Sequence, residues 1–471
     1  MAAVIDDICN KAFSKSFMLF KPEDLNVFDL LKFLFSPKLH ERKFVESSHP
    51  TEFNFAHRIL IIITIIVLKL LQLFAAPLAL LGFVVEFSLN FLSANGGVFG
   101  LLNIFRLKLK LPDSSSADYQ SIVGYMDERI TLDQSIKPGD ANYNAALCMM
   151  ASKLVYENEA RVTKIVKDVW KMEFLGFFNF WNEYIKKSAT QAFMLRDKNS
   201  VCDTIVVSFR GTSPFSAYDW ITDVELSWYE LEGFGKVHAG FMKALGLQKS
   251  VGWPKEVNRK DKNKPLAYYT LRKRLTKLLK ENEKAKFVVT GHSLGGALAV
   301  LFPFILAFHD EKFLLQRLEG VYTYGQPRVG DPKFGEFMAK TFSQYNIGFH
   351  RFVYGFDMVP RLPLDDKASM FKHFGPCIYF DFFYKAKILE EEPFKNYFSI
   401  VGAVMMRIRA FLELGRSLII VRIKGKEYKE GVPLRMMRVF GLLAPGVNAH
   451  CPQDYVNSTR LGTKGFLVSP S

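Results

Sequence analysis

Cysteine is scarce. The 471 residues contain five, Cys9, Cys148, Cys202, Cys377 and Cys451, an odd number with no CxxC spacing. That excludes a disulfide framework and suits a reducing, cytosol-facing setting. His, Cys, Asp and Glu show no metal-ligand spacing, so no metal is assigned. The N-terminal stretch MAAVIDDICNKAFSKSF has two aspartates and no apolar core, so a secretory leader is not expected. Acids are in deficit, 47 against 62 Lys and Arg, a net charge of +15. A positive surplus suits an anionic partner. With no RNP-like or helix-turn-helix pattern, nucleic acid is set aside and a membrane surface is expected. At 49% apolar and 23% charged residues the chain is not disordered, and its 45 Phe hint at contact with something oily.

Charge is nearly missing from Ile59 to Phe105, where only Lys69 and Glu86 interrupt the apolar run. A bilayer-spanning helix takes about 20 apolar residues, and this stretch is about twice that. Pro77 and Gly82 should break or kink it. Both flanks are basic: Lys38, Arg42, Lys43 and Arg58 before, Arg106, Lys108 and Lys110 after. Positive charge marks the cytosolic side, so two basic flanks suggest a hairpin or in-plane anchor. A single span, two full spans and a buried core segment are the competing readings. Residues 1–110 are therefore read as an N-terminal region holding a lipid-droplet or membrane anchor (about 59–105), and 111–471 as the catalytic domain.

Beyond residue 111 the composition is globular. Residues 141–186, including the aromatic WKMEFLGFFNFWNEY, read as helical. Strands are expected at Thr204–Phe209, Lys286–Thr290, Gly320–Tyr324 and Phe349–Tyr354. Helices are expected near Leu266–Lys280 and from Leu294. Short apolar strands alternating with helices predict a mostly parallel sheet covered on both faces. Residues 255–286 hold twelve Lys or Arg against four acids, which reads as a solvated face.

Gly291-His292-Ser293-Leu294-Gly295 fits G-x-S-x-G, between FVVT and GALAVLFPF. The motif requires a sharp strand-to-helix turn with glycines where strand and helix approach. The Ser293 hydroxyl then stands at a helix N-terminus, favourable to negative charge. A neutral serine needs a base, and the base an orienting acid, in the order Ser, acid, His. Downstream lie His309, His350, His373 and His450, with Asp357, Asp365, Asp366 and Asp381 as candidate acids. Asp357 follows the FHRFVY strand at its C-terminal end, where ligand-facing residues collect. The residues alone leave His373 and His450 open.

Seven motifs carry a resemblance: FRGT (209–212), DWITD (219–223), VHAGF (237–241), TGHSLGGALA (290–299), YGQPRVGD (324–331), DMVPRLP (357–363) and AHCPQDYVN (449–457). In this order the chain resembles the class 3 lipases over roughly residues 140–471, and more closely the plant oil-body lipases. The resemblance implies an α/β-hydrolase fold, no cofactor, and Ser293, Asp357 and His450 as nucleophile, acid and base. His450 is followed by the aromatic Tyr455, as in the family, with His373 the rival. It also implies oxyanion donors at Thr212 and Leu294. His292, His238, Arg328 and Asp331 are expected to be structural.

Ser213–Asp223 reads SPFSAYDWITD. At helical spacing Phe215, Tyr218 and Ile221 share a face with Trp220 nearby, while Asp219 and Asp223 lie i,i+4 on another. In the resembled family this segment is the lid; a plain surface helix is the alternative. Tyr397–Lys429 is apolar and basic. It is read as part core strand, with Arg407, Arg409, Arg416 and Arg422 possible members of a lipid-facing surface. The expected function is triacylglycerol hydrolysis on a cytosol-facing lipid-droplet surface or endoplasmic reticulum membrane. Phospholipase A1 or galactolipase action, and a non-catalytic droplet coat, are the alternatives.

Overall fold

The computed structural model describes residues 13–14, 16–35, 43–48, 55–97, 109–198, 203–257, 263–363, 371–395, 400–444 and 446–462. Among these the strands are β1 (Ser16–Phe20), β2 (Val45–Ser47), β3 (Glu173–Asn182), β4 (Lys187–Asp197), β5 (Thr204–Phe209), β6 (Trp228–Leu231), β7 (Gly235–His238), β8 (Lys286–His292), β9 (Leu318–Tyr324), β10 (Gly348–Tyr354), β11 (Cys377–Phe380) and β12 (Ala386–Leu389). The helices around the site are α1 (Phe55–Leu73), α2 (Ala75–Ala94), α3 (Ala217–Val224), α4 (Leu294–Phe308), α5 (Ile400–Lys424), α6 (Val432–Leu443) and α7 (Pro452–Leu461).

Eight strands form one sheet in the order β12-β11-β10-β9-β8-β5-β4-β3. Neighbours from β5 to β11 run parallel; the β3–β4, β4–β5 and β11–β12 pairs are antiparallel. TIVVSF is buried along its whole length, as a central strand covered on both faces should be. This is the expected mostly parallel sheet of an α/β-hydrolase fold. The strands expected at 204–209, 286–290, 320–324 and 349–354 and the helix expected from Leu294 appear within a few residues of their predicted limits, as does the Leu266–Lys280 helix, here Ala267–Glu281. A second sheet, β2-β1-β6-β7, joins the N-terminal chain to the catalytic part, with Phe17 opposite Tyr229.

Two expectations are corrected. The aromatic stretch after Trp170 is not helical: helices cover Tyr143–Leu154 and Glu159–Lys164, and EFLGFFNFWN is β3. Aromatics favour a pleated, half-buried surface. Register shifts near Gly176 and at Phe180/Trp181 break the period-two alternation that would have exposed the strand. Within Tyr397–Lys429 the described residues from Ile400 hold no strand; α5 fills them. Its buried positions, Gly402, Met406, Ala410, Glu413, Ser417 and Ile420, recur at helical spacing, but several are small or polar. Apolar periodicity was therefore blind to that face.

The charge-poor run folds into α1 and α2; its end, 98–105, lies outside the described residues. The helix breaks at Phe74, because the Pro77 ring excludes the carbonyl of Leu73 from the ladder. Gly82 does not break α2. A Cβ there would stand 2.5 Å from Cβ of Phe215 on the segment before α3, so glycine is what permits that approach. Among the described residues α2 is the one helix long and apolar enough to cross a membrane.

Candidate active site

Ser293 sits between β8 and α4 with φ 59° and ψ −133°, a conformation a side chain adopts only when its surroundings force it. A Cβ on Gly291 would lie 2.1 Å from the Gly295 carbonyl, and one on Gly295 2.2 Å from the Phe209 carbonyl oxygen. Both glycines are thus required by the close crossing of strand and helix. Ser293 N–H donates to the Tyr324 carbonyl, 2.9 Å, fixing the bend to the neighbouring strand.

Three side chains distant in sequence meet here. Ser293 Oγ lies 2.7 Å from His450 Nε2, and His450 Nδ1 2.7 Å from Asp357 Oδ2. Asp357 is fully buried past the end of β10, and Ser293 is 4% exposed. Val359 N–H donates to Asp357 Oδ1, 2.9 Å, and the Tyr455 hydroxyl, carried by α7, donates to Oδ2, 2.5 Å. With Oδ2 accepting from Nδ1–H, Nε2 is left as the acceptor for the serine proton. Such a chain can take a hydroxyl proton and stabilise the resulting imidazolium. His373 is elsewhere: its Nε2 donates to the Pro360 carbonyl, 2.7 Å, and burial holds it well below the usual histidine range. Asp365 and Asp366 lie outside the described residues, and Asp381 accepts from local backbone.

Thr212 follows β5 and Leu294 follows Ser293, so both backbones stand at the C-terminal edge of the parallel strands. A Cβ on Gly211 would come within 3.0 Å of Ser293 Cβ, which measures how near this loop runs to the serine. The loop is tied to α3. The Thr212 hydroxyl donates to Asp223, while Ser213 N–H (3.0 Å) and Arg210 Nη2 (3.2 Å) donate to Asp219 Oδ2. The acids of DWITD therefore hold the candidate oxyanion loop, a role their i,i+4 spacing made findable.

Burial pushes the Asp223 carboxyl up from 3.8 to about 8, and Asp219 adds to the shift. The folded state thus holds this proton more tightly than the unfolded chain, so stability falls as pH rises from about 4 to about 8. Asp223→Asn should gain thermal stability relative to the parent across that interval, measured as the difference in Tm; a pH-independent difference contradicts the assignment.

The four candidate lid residues do not share one environment. Phe215 lies against Gly82 of α2 and packs on the cluster that holds Ile122, Val123 and Leu434; Ile221 packs on the cluster that holds Ile61, Ile65 and Leu68 of α1. Tyr218 carries the Lys187 ammonium over its ring, 4.0 Å, and the Trp220 indole donates to the Pro214 carbonyl, 3.0 Å. His238 caps the Ala239–Leu245 helix, Asp331 caps Pro332–Tyr345, and Arg328 donates to the carbonyls of Arg361 and Pro363.

His292 packs and hydrogen-bonds. Its Nε2–H donates to the His450 carbonyl, 2.9 Å, the Tyr156 hydroxyl donates to its Nδ1, 3.0 Å, and its ring stacks on His450 at 4.5 Å. Burial keeps it neutral, as this pairing needs. It positions the segment that delivers His450, something a motif read one residue at a time does not disclose.

The sequence model of the family described as lipase (class 3) matches residues 206–367. Triacylglycerol lipase OBL1 of Arabidopsis thaliana is 41% identical over 450 residues, 88% of this chain and 87% of that one. The protein of the same name from Ricinus communis is 40% identical, over 85% and 86%. A solved structure of Rhizomucor miehei triacylglyceride lipase aligns over 52% of this chain and 82% of its own, at 24% identity and a TM-score of 0.38. With such identity sustained along nearly its whole length, the chain belongs to the class 3 lipase family and is a carboxylic ester hydrolase.

Proposed function

We propose that the protein hydrolyses triacylglycerol at a lipid-droplet surface, with Ser293, His450 and Asp357 as its catalytic residues. The observation that carries this is the unbroken hydrogen-bonded line from Ser293 Oγ through His450 to Asp357, in a chain whose full-length relatives are triacylglycerol lipases. Ser293 attacks the ester carbonyl as His450 Nε2 accepts its proton. The backbone N–H groups of Leu294 and Thr212 hold the oxyanion, each worth about 10²–10³ in rate. The imidazolium, stabilised by Asp357, protonates the departing diacylglycerol. Water, deprotonated by the same His450, then releases the fatty acid from the acyl-enzyme.

Because Ser293 is buried, substrate must displace something, and the Phe215–Ile221 segment beside Thr212 is the proposed lid. Its apolar contacts on the side of α1 and α2, the helices proposed to meet lipid, support that reading. Residues 1–110 serve as the droplet-seeking region and 111–471 as the hydrolase, tied by the β1–β6 pairing. The anchor lies in the interface plane. Gly82, Glu86 and Asn90 form one stripe of α2, and all three face protein. Ile122 N–H donates to Glu86 Oε1, 2.9 Å, and Asn90 exchanges two 2.9 Å bonds with Gln120. A spanning helix would carry those polar groups into hydrocarbon at high cost. Both basic flanks then stay cytosolic.

The test is a substrate panel: purified protein on triolein droplets and on phosphatidylcholine or galactolipid vesicles. Triolein should be hydrolysed much faster; a strong preference for vesicles points to a phospholipase or galactolipase, and no turnover of any ester to a droplet coat.

A further inference from the structure

The helical hairpin α5–α6 is built inside out. Towards the protein it turns charge. Arg438 donates to Glu430 (2.5 and 2.7 Å) and to Asp454 of α7 (3.2 Å). Arg416 donates to Asp454 (2.9 Å) and to the Tyr354 hydroxyl (2.8 Å), and Asn448 donates to Glu413 (2.7 Å). All of these side chains are buried. Towards the outside the hairpin turns hydrocarbon: Phe411 (69% exposed), Leu418, Ile423, Met436, Phe440 and Leu443 (80%). A surface helix in water has the reverse arrangement. Only a partner less polar than water makes this one favourable.

Two further observations choose that partner. Arg407, Arg422, Lys424, Lys426 and Lys429 are exposed along the same hairpin, against one exposed acid, Glu427, which pairs with Arg460. Cations bordering an apolar face match anionic headgroups above acyl chains. Between α5 and the Phe382–Phe383 turn runs a groove of about 440 Å³, walled by Phe411, Leu412, Ile419 and Ile423. α6 and α2 border the same apolar cluster: Leu434 belongs to it, and Met437, Val85 and Phe215 pack against it. The hairpin thus adjoins the helix already proposed to lie on the droplet.

We propose that α5–α6 is a second lipid-docking surface, seating on a phospholipid monolayer with anionic headgroups at Arg422, Lys424 and Lys426 and acyl chains against Phe411 and its neighbours. The buried ion network is what makes it work: it holds an oily face rigid and outward where a helix free to roll would bury it. The inference extends the droplet reading above but rests on the hairpin's own geometry.

The test uses the full chain and triolein droplets coated with phosphatidylcholine, with or without phosphatidylserine. The photoreactive residue p-benzoylphenylalanine, placed at position 411, should crosslink to lipid on illumination, and the same residue at exposed Lys277 should not. Arg422→Gln/Lys424→Gln/Lys426→Gln should cut the gain in binding that phosphatidylserine brings by about tenfold or more. Its hydrolysis of soluble p-nitrophenyl butyrate should be unchanged. Crosslinking at 411 to a second copy, or to nothing, overturns the proposal, as does unaltered phosphatidylserine dependence. Failure of the parent protein to cleave p-nitrophenyl butyrate would count against the hydrolase reading and leave the docking result standing.

Discussion

Ser293→Ala is expected to lower triolein hydrolysis by at least about 10⁴-fold and to abolish labelling by a fluorophosphonate probe. No other hydroxyl on the described residues stands within hydrogen-bond reach of His450 Nε2, so the loss has no local substitute. His450→Ala should fall to a similar floor, and the double variant should be no worse than the poorer single, because serine and base act on one proton. The rate expected to survive is that of the proposed donors at Leu294 and Thr212 and of substrate binding, which need neither side chain. Initial rates on emulsified triolein decide the matter. Retention of more than about a tenth of parental turnover by Ser293→Ala would remove the serine from the mechanism.

The pair Leu80→Asp and Phe83→Asp on α2 should reduce droplet association by at least about 10²-fold. Both side chains are largely exposed. Seating a Leu or Phe in hydrocarbon contributes roughly 1.5–3 kcal/mol each, and a carboxylate in its place adds a desolvation cost, giving several kcal/mol or more than two decades in affinity. Residual binding is assigned to the α5–α6 hairpin. Neither residue belongs to the Gly82–Glu86–Asn90 stripe, so the fold and turnover of a soluble ester should survive. Flotation with triolein droplets measures the first quantity and p-nitrophenyl butyrate the second. Undiminished flotation would place the anchor elsewhere.

Legibility followed how local each constraint was. The bend at Ser293 was readable because strand, glycines and small-residue helix lie within about twenty consecutive positions. Asp357 was narrowed by its place at a strand end. The choice of base could not be made from residue types: His373 and His450 both lie downstream of Ser293, and only a resemblance favoured one. The structure shows why residue types could not decide. His373 is nearer in sequence but packs onto the Pro360 carbonyl, while α6 and α7 bring His450 back across the sheet. β3 escaped because register shifts spoiled its alternation. α5 escaped because its buried face is polar.

The sequence by itself determined the sheet class, the position of the serine, the existence of a long charge-poor apolar run and the family. Each depends on short-range pattern: period, punctuation and the few backbone angles that glycine and proline permit. Tertiary structure decided which histidine meets the serine, that DWITD acids grip the loop at Thr212, that α2 docks a polar stripe on the hydrolase, and that α5–α6 wears its hydrocarbon outside. These are relations between surfaces far apart along the chain. A residue's polarity tells which solvent it prefers; what lies opposite it, protein, water or lipid, is fixed only when distant segments have packed.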